Sequence, residues 1–285
     1  VSRGYLVIAQ NSGDIDYIRQ AYALALSIKN TQRINSFAIA VAENDIDLIP
    51  KDYLDVFDHV VEIPYTDHAE GEQWKIQNKW KYYYMTPFDE TVILDTDMIF
   101  TADVSFWWDH LAEREAWFTT NVKTFRGTDV TSDHYRKTFT SNHLPNVYTA
   151  FAYFRKTKKV AELFELTETI FHNWEKFYFE FLDDTKPDWL SGDVAYALAI
   201  KLLGYEHEFT QPLKNIPTFV HMKTKLQDHN NDIPSEEWTK HLPSYFKTNG
   251  DLKIGNFNQF YPVHYHDKAW LTDLVVKRLE DIYYG

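Results

Sequence analysis

One stretch constrains this chain more than any other: Thr91-Val92-Ile93-Leu94 passes directly into Asp95-Thr96-Asp97 and leaves through Met98-Ile99-Phe100. An apolar run without alternation predicts a strand buried on both faces, which needs covering layers on either side, as in the mainly parallel sheet of an α/β protein. Such sheets take ligands at the carboxyl ends of their strands, where the two acids stand. A bare Asp-x-Asp is ordinarily a solvated turn, but apolar flanks on both sides argue against that here. With one residue between them, one carboxylate reaches a cation directly while the other binds the same cation, a water or a ribose. Hard oxygen ligands favour magnesium or manganese.

The surrounding pattern extends the sheet. Tyr5 to Ala9 reads as a buried strand, Asn11-Ser12-Gly13-Asp14 as a turn, and a helix starts near Asp14 or Asp16 with Ile18, Ala21, Tyr22, Ala25 and Ile28 on one face. Ser36 to Val41 and the run around Val60 predict further strands, the latter after a short helix end. Residues 74–85 are predicted helical and closed by Pro87; 102–145, rich in Thr, Asp, His and Asn, is predicted to be an irregular insertion. A strand over 148–154 and helices over 157–181 and 191–203 follow, then short strands and a last helix over 270–283. Strands alternating with helices predict an α/β fold with a Rossmann-like, mainly parallel central sheet and helices on both faces. With no repeat or linker, 1–285 is expected to be one domain, approximately 1–100 forming a nucleotide-binding half and 101–285 an acceptor-binding and C-terminal half.

Composition narrows the chemistry. With 42 acidic against 29 basic residues the net charge is −13, so a nucleic-acid partner is not expected. Cysteine is absent, so any metal ligands must be oxygen or imidazole. No apolar run reaches the roughly 20 residues of a membrane span, and residues 1–9 lack the pattern of a signal peptide, so cytoplasmic residence is the expectation. Aromatic residues make up 17% of the chain, a supply suited to stacking on sugar faces and a nucleobase.

Three further positions can carry chemistry. Ser191-Gly192-Asp193 opens an apolar helix, so Asp193 is either a cap or a carboxylate for the reaction centre. His221 and His264 each follow an apolar stretch with a lysine nearby, Lys223 and Lys268 respectively, and either imidazole can join the two acids on a metal. Neither a Gly-x-x-x-x-Gly-Lys loop nor a Gly-x-Gly-x-x-Gly turn is present.

Taken in order, these segments resemble the GT-A glycosyltransferases, most closely their glycogenin-like, family 8 branch. Ile93 to Met98 is similar to that branch's apolar strand and Asp-x-Asp and Asp16 to Lys29 to its first helix; Val56-Phe57-Asp58 and Lys79, upstream of the acidic pair, also match, the latter where the branch uses a lysine at the donor. Ser191-Gly192-Asp193 resembles its sugar-contacting Gly-Asp, and Val263-His264-Tyr265 with Lys268 and Trp270 its terminal signature. Three places depart: Val194 stands where Gln is usual, Tyr148-Thr149-Ala150 replaces Asn-Ser-Gly, and the run from His264 to Trp270 is shorter, without the glycine and proline.

The resemblance implies a metal-dependent transferase that moves a hexose, with retention, from a UDP-sugar to a carbohydrate or glycoconjugate acceptor. Asp95, Asp97 and His264 would hold Mn2+ or Mg2+, with His221 the second choice to His264. Ala9, Asn11, Asp16, Tyr17, Lys79, Asp95, Thr96 and Lys268 would line the donor, Tyr17 stacking on uracil; Asp193 and Lys268 would act in the transfer. Two other classes use similar parts: a metal-dependent nucleotidyltransferase or phosphohydrolase, and a non-catalytic carbohydrate-binding protein on the same fold.

Overall fold

The computed structural model describes all residues except 14, 73–74, 131–135, 212–215 and 224–234. Its centre is a six-stranded sheet built from β1 (Arg3–Ile8), β2 (Phe37–Val41), β3 (His59–Glu62), β4 (Glu90–Leu94), β6 (Ala116–Thr119) and β7 (Tyr148–Arg155), in the order β3-β2-β1-β4-β7-β6. The first four run parallel, whereas β7 pairs antiparallel with both β4 and β6. β5 (Met98–Ile99) continues from the β4 turn into a second sheet of three strands, β5-β12-β8, with β8 Val220–His221 and β12 Val263–His264. A third small sheet holds β9 (Ser244–Phe246), β10 (Leu252–Ile254) and β11 (Phe257–Asn258).

Alternation along the central strands divides the core into two layers. Tyr5, Val7, Ile39, Val92 and Leu94 face one layer with α1 (Tyr17–Thr31), the later tail and the small sheets. Leu6, Ala38, Ala40 and Ile93 face the other, where α3 (Tyr82–Met85) packs beside helices from the second half, while Tyr53 of α2 (Lys51–Leu54) packs on the first layer. Those helices follow α4 (Trp107–Leu111) and α5 (Lys137–Ser141): they are α6 (Lys158–His172), α7 (Trp174–Phe181), α8 (Gly192–Leu202) and α9 (Glu206–Thr210). The final helix, α10 (Asp273–Tyr284), returns to lie on α1. Gly4 is required where Phe88 crosses β1, because a Cβ there would stand 2.3 Å from the Phe88 ring.

The α/β class and the mainly parallel sheet agree with the sequence reading; three local expectations need correction. Within 102–145 the described residues include α4, α5 and β6, an edge strand of the main sheet. The helix expected over 157–181 breaks at Asn173, which ends α6 and begins α7. Of 74–85, residue 74 lies outside the described residues, and the remainder forms turns, a short 3-10 segment Lys79–Lys81 and α3. Asp14 also lies outside the described residues, while Asp16 caps α1 by accepting the Arg19 N–H at 2.9 Å.

Candidate active site

The two acids leave β4 on a turn held from both sides. Asp95 N–H donates to the Ala150 carbonyl at 3.1 Å on β7, and the Asp97 carbonyl accepts the Tyr265 N–H at 3.0 Å just past β12. Pairing of β5 with β12 sets Met98 opposite His264, which lays the imidazole beside the preceding acid although 167 residues separate the two. His264 Nε2 lies 2.9 Å from Asp97 Oδ2, and the Lys268 ammonium donates to that same oxygen. Burial alone would raise the Asp97 pKa, but His264 and Lys268 outweigh it and hold the carboxyl well below its usual range.

Ligand atoms of Asp95, Asp97 and His264 lie within 4.8 Å of one another. Two carboxylates and an imidazole suit magnesium or manganese, and among the described residues the buried His264 Nδ1 has no hydrogen-bond partner that would commit the ring to another task. The residues therefore fit a divalent cation.

Lys79 continues the row on the other side. Its ammonium donates to Asp95 Oδ1 at 2.6 Å, and its carbonyl accepts the Tyr196 hydroxyl of α8 at 2.9 Å. Burial works against the ammonium, yet Asp95 prevails and the Lys79 pKa is raised. A Cβ on Gly192 would stand 3.7 Å from Lys79 Cδ and 3.8 Å from Thr149 Oγ1, so lysine stem, helix start and β7 meet at one point.

At that point stands Asp193. Ser191, not Asp193, is the N-cap of α8, its hydroxyl accepting the Val194 N–H at 3.4 Å, which releases the Asp193 carboxylate for other partners. Oδ1 accepts the Thr149 N–H at 2.8 Å and its hydroxyl at 2.6 Å, and Oδ2 accepts Arg136 Nη1 at 2.7 Å. Burial opposes ionisation, but Arg136 and Thr149 overcome it and bring the Asp193 pKa down to about 2. Sequence reasoning missed Arg136 entirely, since it sits in a polar stretch without periodicity; Thr149 appeared only as a departure from a family pattern.

On the opposite flank, the Lys268 ammonium stands 5.7 Å from the centre of the Tyr17 ring, at the first residue of α1. Thr96 is buried between the acids. Ala9 is buried just beyond β1, its N–H on the Ala40 carbonyl at 2.8 Å. The Asn11 side-chain Oδ1 accepts the Ile18 N–H at 3.2 Å, so Asn11 and Asp16 both serve the start of α1. A further network went unread: Gln10 donates to Asp67 at 2.8 Å, and Asn78 donates to Gln10 at 2.8 Å and to Asp67 at 2.6 Å, fixing the residue before Lys79 against the end of β1.

His221 is brought close but not among the ligands. It pairs in register with His264, its ring stacked at 4.9 Å, and among the described residues the metal-capable cluster contains His264 only. Burial, with His264 and Lys223 beside it, pushes the His221 pKa well below the usual value.

No known family profile matches the chain, and no curated protein sequence matches it. Among solved structures it is similar to mouse xyloside xylosyltransferase 1 in its apo form, at TM-score 0.46 and 11% identity over 75% of this chain and 85% of that one. It is also similar to the glycosyltransferase GlyE of Streptococcus pneumoniae, at TM-score 0.41 and 12% identity over 73% of this chain and 44% of that one. A third similar structure is 4-diphosphocytidyl-2C-methyl-D-erythritol synthase of Anaerococcus prevotii, at TM-score 0.37 and 11% identity over 74% and 86% of the two chains.

Proposed function

We propose that this chain is a metal-dependent glycosyltransferase of the GT-A type, taking a hexose from a UDP-sugar and passing it, with retention, to a carbohydrate or glycoconjugate. The observation that carries this reading is the unbroken row Tyr17, Lys268, Asp97 with His264, Asp95, Lys79 and Asp193. An aromatic ring at one end, cations around two acids in the middle and a hydrogen-bonding carboxylate at the other match a base, a diphosphate and a sugar in that order.

Asp95, Asp97 and His264 would hold the ion, which when bound opposes charge developing on the departing diphosphate. Lys79 and Lys268 add positive charge on either side of the acids. Tyr17 stacks on the base, and Asp193 orients the sugar by accepting from its hydroxyls. With Arg136 and Thr149 on its oxygens, Asp193 is poorly placed to take a proton from an acceptor, which supports retention over inversion.

The test is incubation with a panel of sugar nucleotides and manganese. Release of nucleoside diphosphate is expected with a uridine donor, and the first-formed product should keep the donor's anomeric configuration by NMR. Release of monophosphate or pyrophosphate would move the chain to the phosphohydrolase or nucleotidyltransferase class, and binding without turnover at any metal concentration to a carbohydrate-binding role.

A further inference from the structure

We infer that Arg136 is a positioning residue for the transfer, locking Asp193 into one rotamer as an ionised acceptor before any sugar arrives; this rests on the reading of Asp193 as a sugar-orienting group. Arg136 is 8% exposed and engaged in three directions: Nε donates to the Asn146 side chain at 2.7 Å, Nη1 to Asp193 at 2.7 Å, and Nη2 to the Val147 carbonyl. Its guanidinium also lies against two rings, 3.8 Å from the centre of Phe139 and 3.9 Å from that of Tyr148. Those contacts belong to α5 and to the start of β7, so the arginine is anchored on rigid elements before it reaches the carboxylate.

The geometry separates Arg136 from a substrate-binding arginine. A planar fork satisfied by a carbonyl, an amide and a carboxylate, and packed between rings, holds its partner in a single orientation. With Thr149 supplying two donors to the other oxygen, the Asp193 carboxylate cannot rotate without breaking contacts on both sides. The groups facing it are Arg136, Lys79, Lys223 and the Tyr178 phenol, so its surroundings favour the charged form.

The test compares Arg136→Met and Arg136→Lys with the unaltered protein, reading donor turnover, uridine diphosphate affinity and the Asp193 carboxyl carbon by NMR across pH. Arg136→Met is expected to lower kcat for the donor by about 10²-fold, the size of effect that follows from an ångström of misplacement, while uridine diphosphate affinity stays within about twofold. Its Asp193 signal should titrate at visibly higher pH. Arg136→Lys should restore the low titration, because charge remains, but only part of kcat, because the fork is gone. An unchanged kcat in Arg136→Met, or an unmoved Asp193 titration, would overturn the inference. Equal losses of kcat and nucleotide affinity would also overturn it by showing general collapse. If the unaltered protein turns over no sugar nucleotide, the transferase reading fails, and the carboxyl titration alone still decides whether Arg136 holds Asp193 ionised.

Discussion

Asp97 is a buried carboxylate and Asp193 a partly exposed one; both are kept ionised, and they are kept so in opposite ways. Asp97 receives an imidazole and a lysine ammonium on a single oxygen, both from the tail of the chain. Asp193 receives a guanidinium on one oxygen and a backbone N–H with a hydroxyl on the other. Ammonium on a flexible stem is an exchangeable counter-charge, whereas a planar guanidinium wedged between rings is not. On the proposed reading the first acid trades partners with an incoming cation, whereas the second is finished in advance. Burial of an acid thus does not state its role, but the stiffness of its partners does.

Removing the exchangeable side should have the largest effect. Asp97→Asn is expected to lower metal-dependent turnover by about 10³-fold with the fold retained, since an amide oxygen is a much weaker ligand than a carboxylate. Chelator treatment of the unaltered protein should match it. Full turnover in excess chelator would remove the contrast, leaving two structural acids.

Breaking the rigid side should show in acid stability. The Asp193 pKa is depressed to about 2 in the folded chain, so its contribution is complete above the unfolded value near 4 and disappears as pH falls through 2. Between those limits the unaltered protein should lose more stability than Arg136→Met, whose Asp193 keeps the Thr149 donors but not the guanidinium, measured by denaturant unfolding at each pH. Parallel pH curves would mean that Arg136 adds nothing to the charged form.

The smallest expected effect lies at the end of the row. Tyr17→Ala should weaken uridine diphosphate binding by about 1 to 2 kcal/mol, the range of a base–aromatic stack, while leaving acid stability untouched. An unchanged dissociation constant in titration calorimetry would return Tyr17 to packing on α1 and Lys268.

What could be read beforehand follows the same division. The strand leading to Asp95 and the helix capped by Asp16 were legible because burial on two faces and helical spacing leave a local mark. β6 was not, because four residues, Ala116 to Thr119, between a charged run and the polar Thr120-Asn121 give too short a pattern to separate from a loop. Asn78 read as part of a helix because its amide pair to Gln10 and Asp67 is a tertiary event. His221 and His264 looked alike because they are alike: neighbouring strands carry them in register, and only the Met98 pairing decides which meets the acids. Arg136 had no local signal at all, since its importance comes from residues 57 positions away.

The β5–β12 pairing also bears on the order in which this molecule comes into being. Asp95 and Asp97 are made well before His264 and Lys268, which follow Asp97 by 167 and 171 residues. Until then two acids occupy a turn between apolar strands with Lys79 as their near cation, an arrangement in which like charges repel. Closing so long a loop is entropically costly, and the two strands joined are only two residues each, so the tail docks through Tyr265, Trp270 and α10 against α1 rather than through ladder bonds alone. A nascent chain that has not yet reached residue 263 therefore carries these acids without His264 and Lys268, the groups that neutralise Asp97.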